Sequence, residues 1–316
     1  MMERFGPAEL ARMKPMGRVR RLSCMGIART RRGELAEAES TFVEARRELD
    51  SGSPEDWQRM LAHHPAVELL TDLSQDLVCR GLFSSADACA REALDIAEQQ
   101  RHISRVGALC QTGLLSEYRG DRSDAITRYT QALELAERYG LKAYGALAKC
   151  GLGRTLVATG QQGDGIRLLR EGYSRWTTFG GRMSSSALAA GAATVLLHAG
   201  RRDEATEFLL AGEKTLQETE EKYQAAPLLA LRGRLGELDG DAAAAETLYR
   251  QAIAIAEQQG ALLYSLQAAT ALARLCQRIG RPDEANAVLR PIYERFTEGF
   301  DFPVLVRARA VLESRG

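Results

Sequence analysis

Gly113-Leu-Leu-Ser-Glu-Tyr-Arg-Gly120-Asp-Arg-Ser-Asp-Ala125-Ile-Thr-Arg-Tyr129-Thr-Gln-Ala132 is the stretch that decides how this protein folds. Around Gly120 a small residue stands seven positions before, an alanine five after, a bulky residue nine after and an alanine twelve after. The pattern returns around Gly33, Gly81, Gly160, Gly200, Gly240 and Gly280, and from Gly120 onward these anchors are 40 residues apart. A fixed period of this length is the sequence mark of a solenoid. Seven before the anchors stand Gly26, Ser74, Gly113, Gly153, Ala193, Gly233 and Ala273, all small. Nine after stand Phe42, Ala90, Tyr129, Leu169, Leu209, Tyr249 and Leu289.

Small residues let two helices approach where their axes cross, and the bulky residue fills the space between a second helix and its own first helix. The glycine ends the first helix, because a left-handed C-terminal position costs glycine little. Ser84, Ser123, Asp203 and Asp283, three after their glycines, are then read as N-caps of the second helix. The unit is helix, tight turn, helix, with helices of about 16 residues, or ~24 Å at 1.5 Å per residue. No segment alternates with period two, so no sheet is expected.

The predicted architecture is an all-α, right-handed superhelical solenoid of about seven antiparallel helix pairs over residues 15–316. The interval from Gly33 to Gly81 is longer than the rest, and Asp50-Ser-Gly-Ser-Pro-Glu-Asp-Trp57 reads as a loop inserted there. Residues 1–14 are weakly specified. A capping helix is predicted over 303–315, with Val304, Leu305, Ala308, Val311 and Leu312 on its apolar face and Asp301 as its cap. Such a helix covers the exposed face of the last repeat.

These offsets resemble the tetratricopeptide repeat, which carries small, turn, alanine, aromatic and alanine positions in the same order. The resemblance covers residues 15–316, with two departures. That family's period is about 34 residues, and its usual tryptophan and helix-ending proline are missing here. The longer unit is similar to the repeat domains of large bacterial signalling ATPases of the maltose-regulon-activator type and of adenylate-cyclase/ATPase fusions. The tail Tyr293-Glu-Arg-Phe-Thr-Glu-Gly-Phe-Asp-Phe-Pro303 is most like the C-terminal end of those fusions. No phosphate loop, cyclase segment or helix-turn-helix precedes the repeats, so the sequence reads as a free-standing repeat protein or as part of a larger regulator.

Formal charge is balanced, with 42 Lys and Arg against 42 Asp and Glu. Global electrostatics therefore announces neither nucleic acid nor membrane as a partner. Residues 1–32 hold nine basic residues against two acidic ones, a distribution better explained by solvated faces of the first helix pair than by a nucleic-acid arm. The longest near-apolar run, Ala187 to Leu197, is far short of a membrane span. No secretory signal is visible, and six scattered cysteines without a Cys-x-x-Cys pair fit a reduced, cytoplasmic protein.

Chemistry is thinly signalled. Gly160-Gln-Gln-Gly-Asp-Gly165 lies in a helix–helix turn with no strand before it, so a turn is favoured over a phosphate cradle. His63 and His64 are adjacent and point apart, which disfavours a shared metal. No nucleophile and base fall at related repeat positions, so neither an enzyme nor a cofactor or metal is expected. The concave surface is the better candidate. The resemblance places positions six, three and two before each glycine on it. That gives Arg154, Arg234, Arg274 and Arg278 on one wall, with Thr194, His198, Gln267 and Gln277 beside them. Leu114 and Tyr118 stand on an apolar stretch with Val78. Arginine grips carboxylates through a two-pronged geometry. The expected partner is a protein or peptide, presenting an acidic segment or a C-terminal carboxylate, in bacterial signalling or transcriptional control. The competing reading is a small-molecule sensor, with Tyr118, Tyr144, Trp176 and Tyr264 as stacking platforms in a closed pocket. A third is a repeat module of a larger cyclase or ATPase.

Overall fold

The computed structural model describes residues 13–52, 64–99, 102–179 and 184–314. Within them the polypeptide forms fifteen helices and no strand. The first helices of the seven repeats are α1 (Pro15–Arg32), α3 (Pro65–Cys79), α5 (His102–Arg119), α7 (Lys142–Ala158), α9 (Ser185–His198), α11 (Ala225–Leu238) and α13 (Leu262–Arg278). Their partners are α2 (Leu35–Ser51), α4 (Phe83–Glu98), α6 (Arg122–Arg138), α8 (Gln162–Thr178), α10 (Arg202–Glu218), α12 (Ala242–Gln259) and α14 (Pro282–Tyr293). The cap is α15 (Pro303–Glu313). Most of the predicted inserted loop, His63 and residues 1–12 lie outside the described residues.

All seven anchor glycines have positive φ, from 74° at Gly200 to 90° at Gly160. The turn they make is tight: the Gly120 amide donates to the Glu117 carbonyl at 3.0 Å, and the Asp121 amide to Ser116 at 2.9 Å. The caps differ from the expectation. The N-cap is the first residue after the glycine, so Ser84, Ser123, Asp203 and Asp283 already lie in the first helical turn. Only one residue is needed to leave the left-handed position and restart a helix. Asp121 and Asp241 fill that place with a carboxylate, accepting the amides of Asp124 (3.0 Å) and Ala244 (2.9 Å). Asp203 and Asp283 instead favour the positive end of the helix dipole. Likewise Phe302, not Asp301, is the N-cap of α15, and its side chain makes no capping bond.

The small and bulky positions meet as their spacing predicts. A methyl group added at Gly26, Gly113 or Gly233 would stand 2.6, 3.0 or 2.9 Å from the ring of Phe42, Tyr129 or Tyr249. In the fourth repeat the backbones themselves touch. An added methyl at Gly153 would lie 2.8 Å from the Gly165 carbonyl, and one at Gly165 equally close to the Gly153 carbonyl. Gly165 is thus a helix-crossing residue, which accounts for the glycine-rich stretch by packing.

One feature has no counterpart in the periodic pattern: the superhelix closes on itself. Helix α13 packs on α3, and α15 on α5. The Lys222 and Tyr223 amides donate to the Arg31 carbonyl at 2.7 and 3.2 Å. The Arg31 guanidinium bonds the Tyr223 hydroxyl and lies 4.7 Å from that ring's centre. Ser85 donates its amide (2.9 Å) and hydroxyl (3.1 Å) to Glu298. Phe83 stacks on Phe302 at 4.8 Å and on Phe296 at 6.5 Å. All three rings are buried in a core running from Leu35 through Leu115 to Tyr223 and on to Val311. Burying each ring contributes about 2 kcal/mol, so the seam is held mainly by apolar contact.

Candidate functional site

Closure converts the concave face into a lumen of about 1220 Å³. Its wall is built by the first helices, with one register position in common. Six before each glycine stand Ile27, Gln75, Leu114, Arg154, Thr194, Arg234 and Arg274, and all seven line the lumen. The wall extends two turns further up each helix, through Gln267, which the sequence already suggests, and through Arg20, Glu68, Gly107, Leu147, Ala187 and Pro227, which it does not. These stand thirteen before their glycines, and the helical period carried upward from the six-before position would have found them. Tyr118, Tyr144, Trp176, Tyr264, His198 and Arg278 also face the lumen.

The expected arginine row is not four free cations. Arg154 makes a two-pronged pair with Glu117 of the preceding repeat (3.0 and 3.2 Å) and donates to the Tyr129 hydroxyl at 3.3 Å. Burial opposes its charge, and Glu117 with Tyr129 more than reverses that, so its pKa rises above the ordinary value. Arg234 (2.7 Å) and Arg278 both pair with Glu237, which also accepts from the Tyr249 hydroxyl at 2.7 Å. Gln277 is misplaced by the sequence reading. It donates to the Val311 carbonyl at 2.9 Å and to the Ser314 hydroxyl at 3.1 Å, under the capping helix. At the position three before the glycine, Glu117, Leu197 and Glu237 line the lumen, whereas Thr30, Val78 and Val157 are buried in the stack and Gln277 faces α15.

Arg274 remains without an ion pair among the described residues, and it has company. Arg122, at the start of α6, and Arg307, on α15, line the same part of the lumen. Burial first, then Arg274 and Arg122, hold the Arg307 pKa below its ordinary value. Burial, then Arg307, Arg234 and Arg274, lower that of His198. These groups are open to lumen water yet recessed, so they feel one another more than surface charges would. Arg122 and Arg307 were not legible as wall residues, because neither occupies a first-helix position. Another part of the wall is acidic. Glu68 and Asp72 stand one turn apart on α3, and burial, with Glu68 adding, pushes the Asp72 carboxyl up to about 7 against the pull of Arg31.

The aromatic residues divide between lumen wall and seam. The Tyr264 hydroxyl accepts from Gln224 at 2.8 Å and lies 3.4 Å from Cys79 Sγ, tying α13 to α3. Tyr118 packs 6.1 Å from Phe83, and burial raises its pKa. Tyr144 faces Glu68 and Asp72, with a hydroxyl pushed up to about 12, chiefly by burial. Among the described residues no helix is long and apolar enough to cross a membrane, and the six cysteines are free thiols.

No family model matches the sequence. The regulatory protein AfsR of Streptomyces griseus is 28% identical over 207 residues, which span 65% of this chain and 20% of that protein. The match thus takes in about a fifth of the length of the curated relative. Among solved structures, the Rap conjugation gene regulator of plasmid pLS20 in complex with the Phr* peptide superposes with a TM-score of 0.65. The match covers 95% of this chain and 76% of that one at 13% identity. Aspartyl phosphate phosphatase F from Bacillus subtilis superposes at 0.57, covering 91% of this chain and 72% of that one at 14% identity. The fold is therefore that of a tetratricopeptide-like α-solenoid.

Proposed function

We propose that this protein is the ligand-receiving repeat domain of a bacterial cytoplasmic regulator, and that it holds a short peptide in its lumen. The observation that carries this reading is the closed lumen with one wall register running through all seven repeats. Its volume of about 1220 Å³ exceeds the roughly 300–1,000 Å³ of small-molecule sites. A surface repeated along a superhelix suits an extended ligand better than a compact one. The pLS20 regulator of the same fold is described with a peptide bound. The peptide presents an acidic segment or its C-terminal carboxylate to the cationic part of the wall. The domain acts by binding rather than by catalysis, although one neighbour is described as a phosphatase. Similarity to a fifth of AfsR supports a place within a larger regulator.

The small-molecule reading is favoured by one observation: Tyr144 and Trp176 line an enclosed space. Affinity selection from a random heptapeptide library separates the two. Enrichment on the wild-type protein, lost in Leu114→Arg, which puts a charge into the lumen wall, is the expected outcome. Equal recovery on both proteins, or no enrichment, refutes the peptide reading.

A further inference from the structure

Three guanidinium groups from three separate parts of the sequence face one region of the lumen. Arg122 begins α6, Arg274 lies on α13 and Arg307 on α15. None forms an ion pair among the described residues. Two of the wall carboxylates are committed elsewhere, Glu117 to Arg154 and Glu237 to Arg234, Arg278 and Tyr249. His198 adds a fourth nitrogen-bearing group beside them. Like charges held close together repel one another, and lumen water screens that repulsion only in part. A single oxyanion meeting forks from several directions relieves it well. The cluster also lies beside the seam. An added methyl at Gly120, two residues before Arg122, would lie 3.2 Å from the ring of Pro303, which begins α15.

We propose that Arg122, Arg274 and Arg307 form a carboxylate site at the junction of α6, α13 and α15, and that filling it draws the capping helix against the third repeat. The inference rests on the lumen being the ligand site and names the part of it that receives the ligand's negative charge. Because α15 meets the Gly120 turn that leads into α6, an anion held by Arg122 and Arg307 together stabilises the closed superhelix by linkage.

The test uses tricarballylate as a probe on the 316-residue protein, with sodium chloride at equal ionic strength as the reference. The wild-type thermal midpoint rises with the probe. Arg274→Gln and Arg307→Gln each weaken probe affinity at least tenfold, with unchanged circular dichroism. Both side chains are exposed to the lumen, and Arg122→Gln supplies a third variant should either misfold. No rise in the wild type, or equal affinity in all the variants, overturns the site. Acetyl-Leu-Ala-Leu as free acid, the same peptide amidated, and amidated acetyl-Leu-Glu-Leu identify the source of the carboxylate. A preference for the free acid assigns the site to a peptide C-terminus, and a preference for the glutamate peptide assigns it to a side chain. Either preference must vanish in Arg307→Gln; its persistence there also overturns the site. Tricarballylate binding alongside a failed library selection would leave the anion site standing and remove the peptide reading.

Discussion

The interfaces within the stack and the seam that closes it are built by different means. Within the stack, each repeat meets its second helix through the same pair of register positions, as in Gly113 against Tyr129 and Gly233 against Tyr249. At the seam, Phe83, Phe296, Phe302, Tyr223 and Tyr264 each appear once, in contacts that join the first and second repeats to the sixth, the seventh and the tail. The difference teaches that a solenoid's local geometry is copied from unit to unit. Its overall shape depends on residues that are not copied.

The comparison is broken most severely inside the stack. Gly153→Leu drives a side chain into the backbone of Gly165 and Leu169, which cannot yield as a flexible side chain would, and should cost about 4 kcal/mol or abolish folding. Urea unfolding monitored by circular dichroism measures it. Phe302→Ala acts only at the seam and should cost about 3 kcal/mol. Its signature is regional: hydrogen exchange should accelerate at the Lys222 and Tyr223 amides while α7 and α8 remain protected.

A titration sharpens the comparison at the join of the first two repeats. Asp76 is fully buried, accepts from the Thr30 hydroxyl at 2.8 Å, and leaves its second oxygen without a partner. Burial pushes its carboxyl up to about 6; the Thr30 bond and Arg80 pull it back in part, and Glu39 adds to the rise. Between its ordinary range and pH 6 the folded state holds a proton that the unfolded state has released. This group's contribution is therefore fully present at low pH and is lost as pH rises through 6. Asp76→Asn should stabilise the fold by about 2 kcal/mol above pH 6 and change little below pH 4, as read from unfolding midpoints across that range. The smallest effect is Tyr264→Phe. It removes the hydroxyl shared by Gln224 and Cys79 and should cost about 1 kcal/mol, lowering the thermal midpoint without altering the stack.

The same distinction sets what could be read from the sequence. The anchor glycines, the small and bulky positions and the six-before wall register are periodic, so composition at fixed offsets reveals them. Asp121 as a cap was missed because the turn restarts the helix two residues earlier than a generic cap pattern suggests. Gln277 is placed on the lumen by the register because the register cannot show which side chains of the last repeat the predicted capping helix covers. Arg122 and Arg307 were invisible as site residues, since only closure brings the start of α6 beside the tail. Arg154, Arg234 and Arg278 line the wall, but their partners Glu117 and Glu237 stand at another register position.

Closure itself is tested most directly by a zero-length carbodiimide cross-link between Glu34 and Lys222. Glu34 is partly exposed and Lys222 exposed. They are far apart in sequence and close enough across the seam for Lys222 to help lower the Glu34 pKa, after the Arg32 hydrogen bond and against some burial. The Lys149–Glu171 pair, 2.8 Å apart within the fourth repeat, serves as internal standard. A closed superhelix gives both products by mass spectrometry, with the Glu34–Lys222 link reduced in Phe302→Ala. A Lys149–Glu171 product without any Glu34–Lys222 link would contradict closure, and the lumen with it.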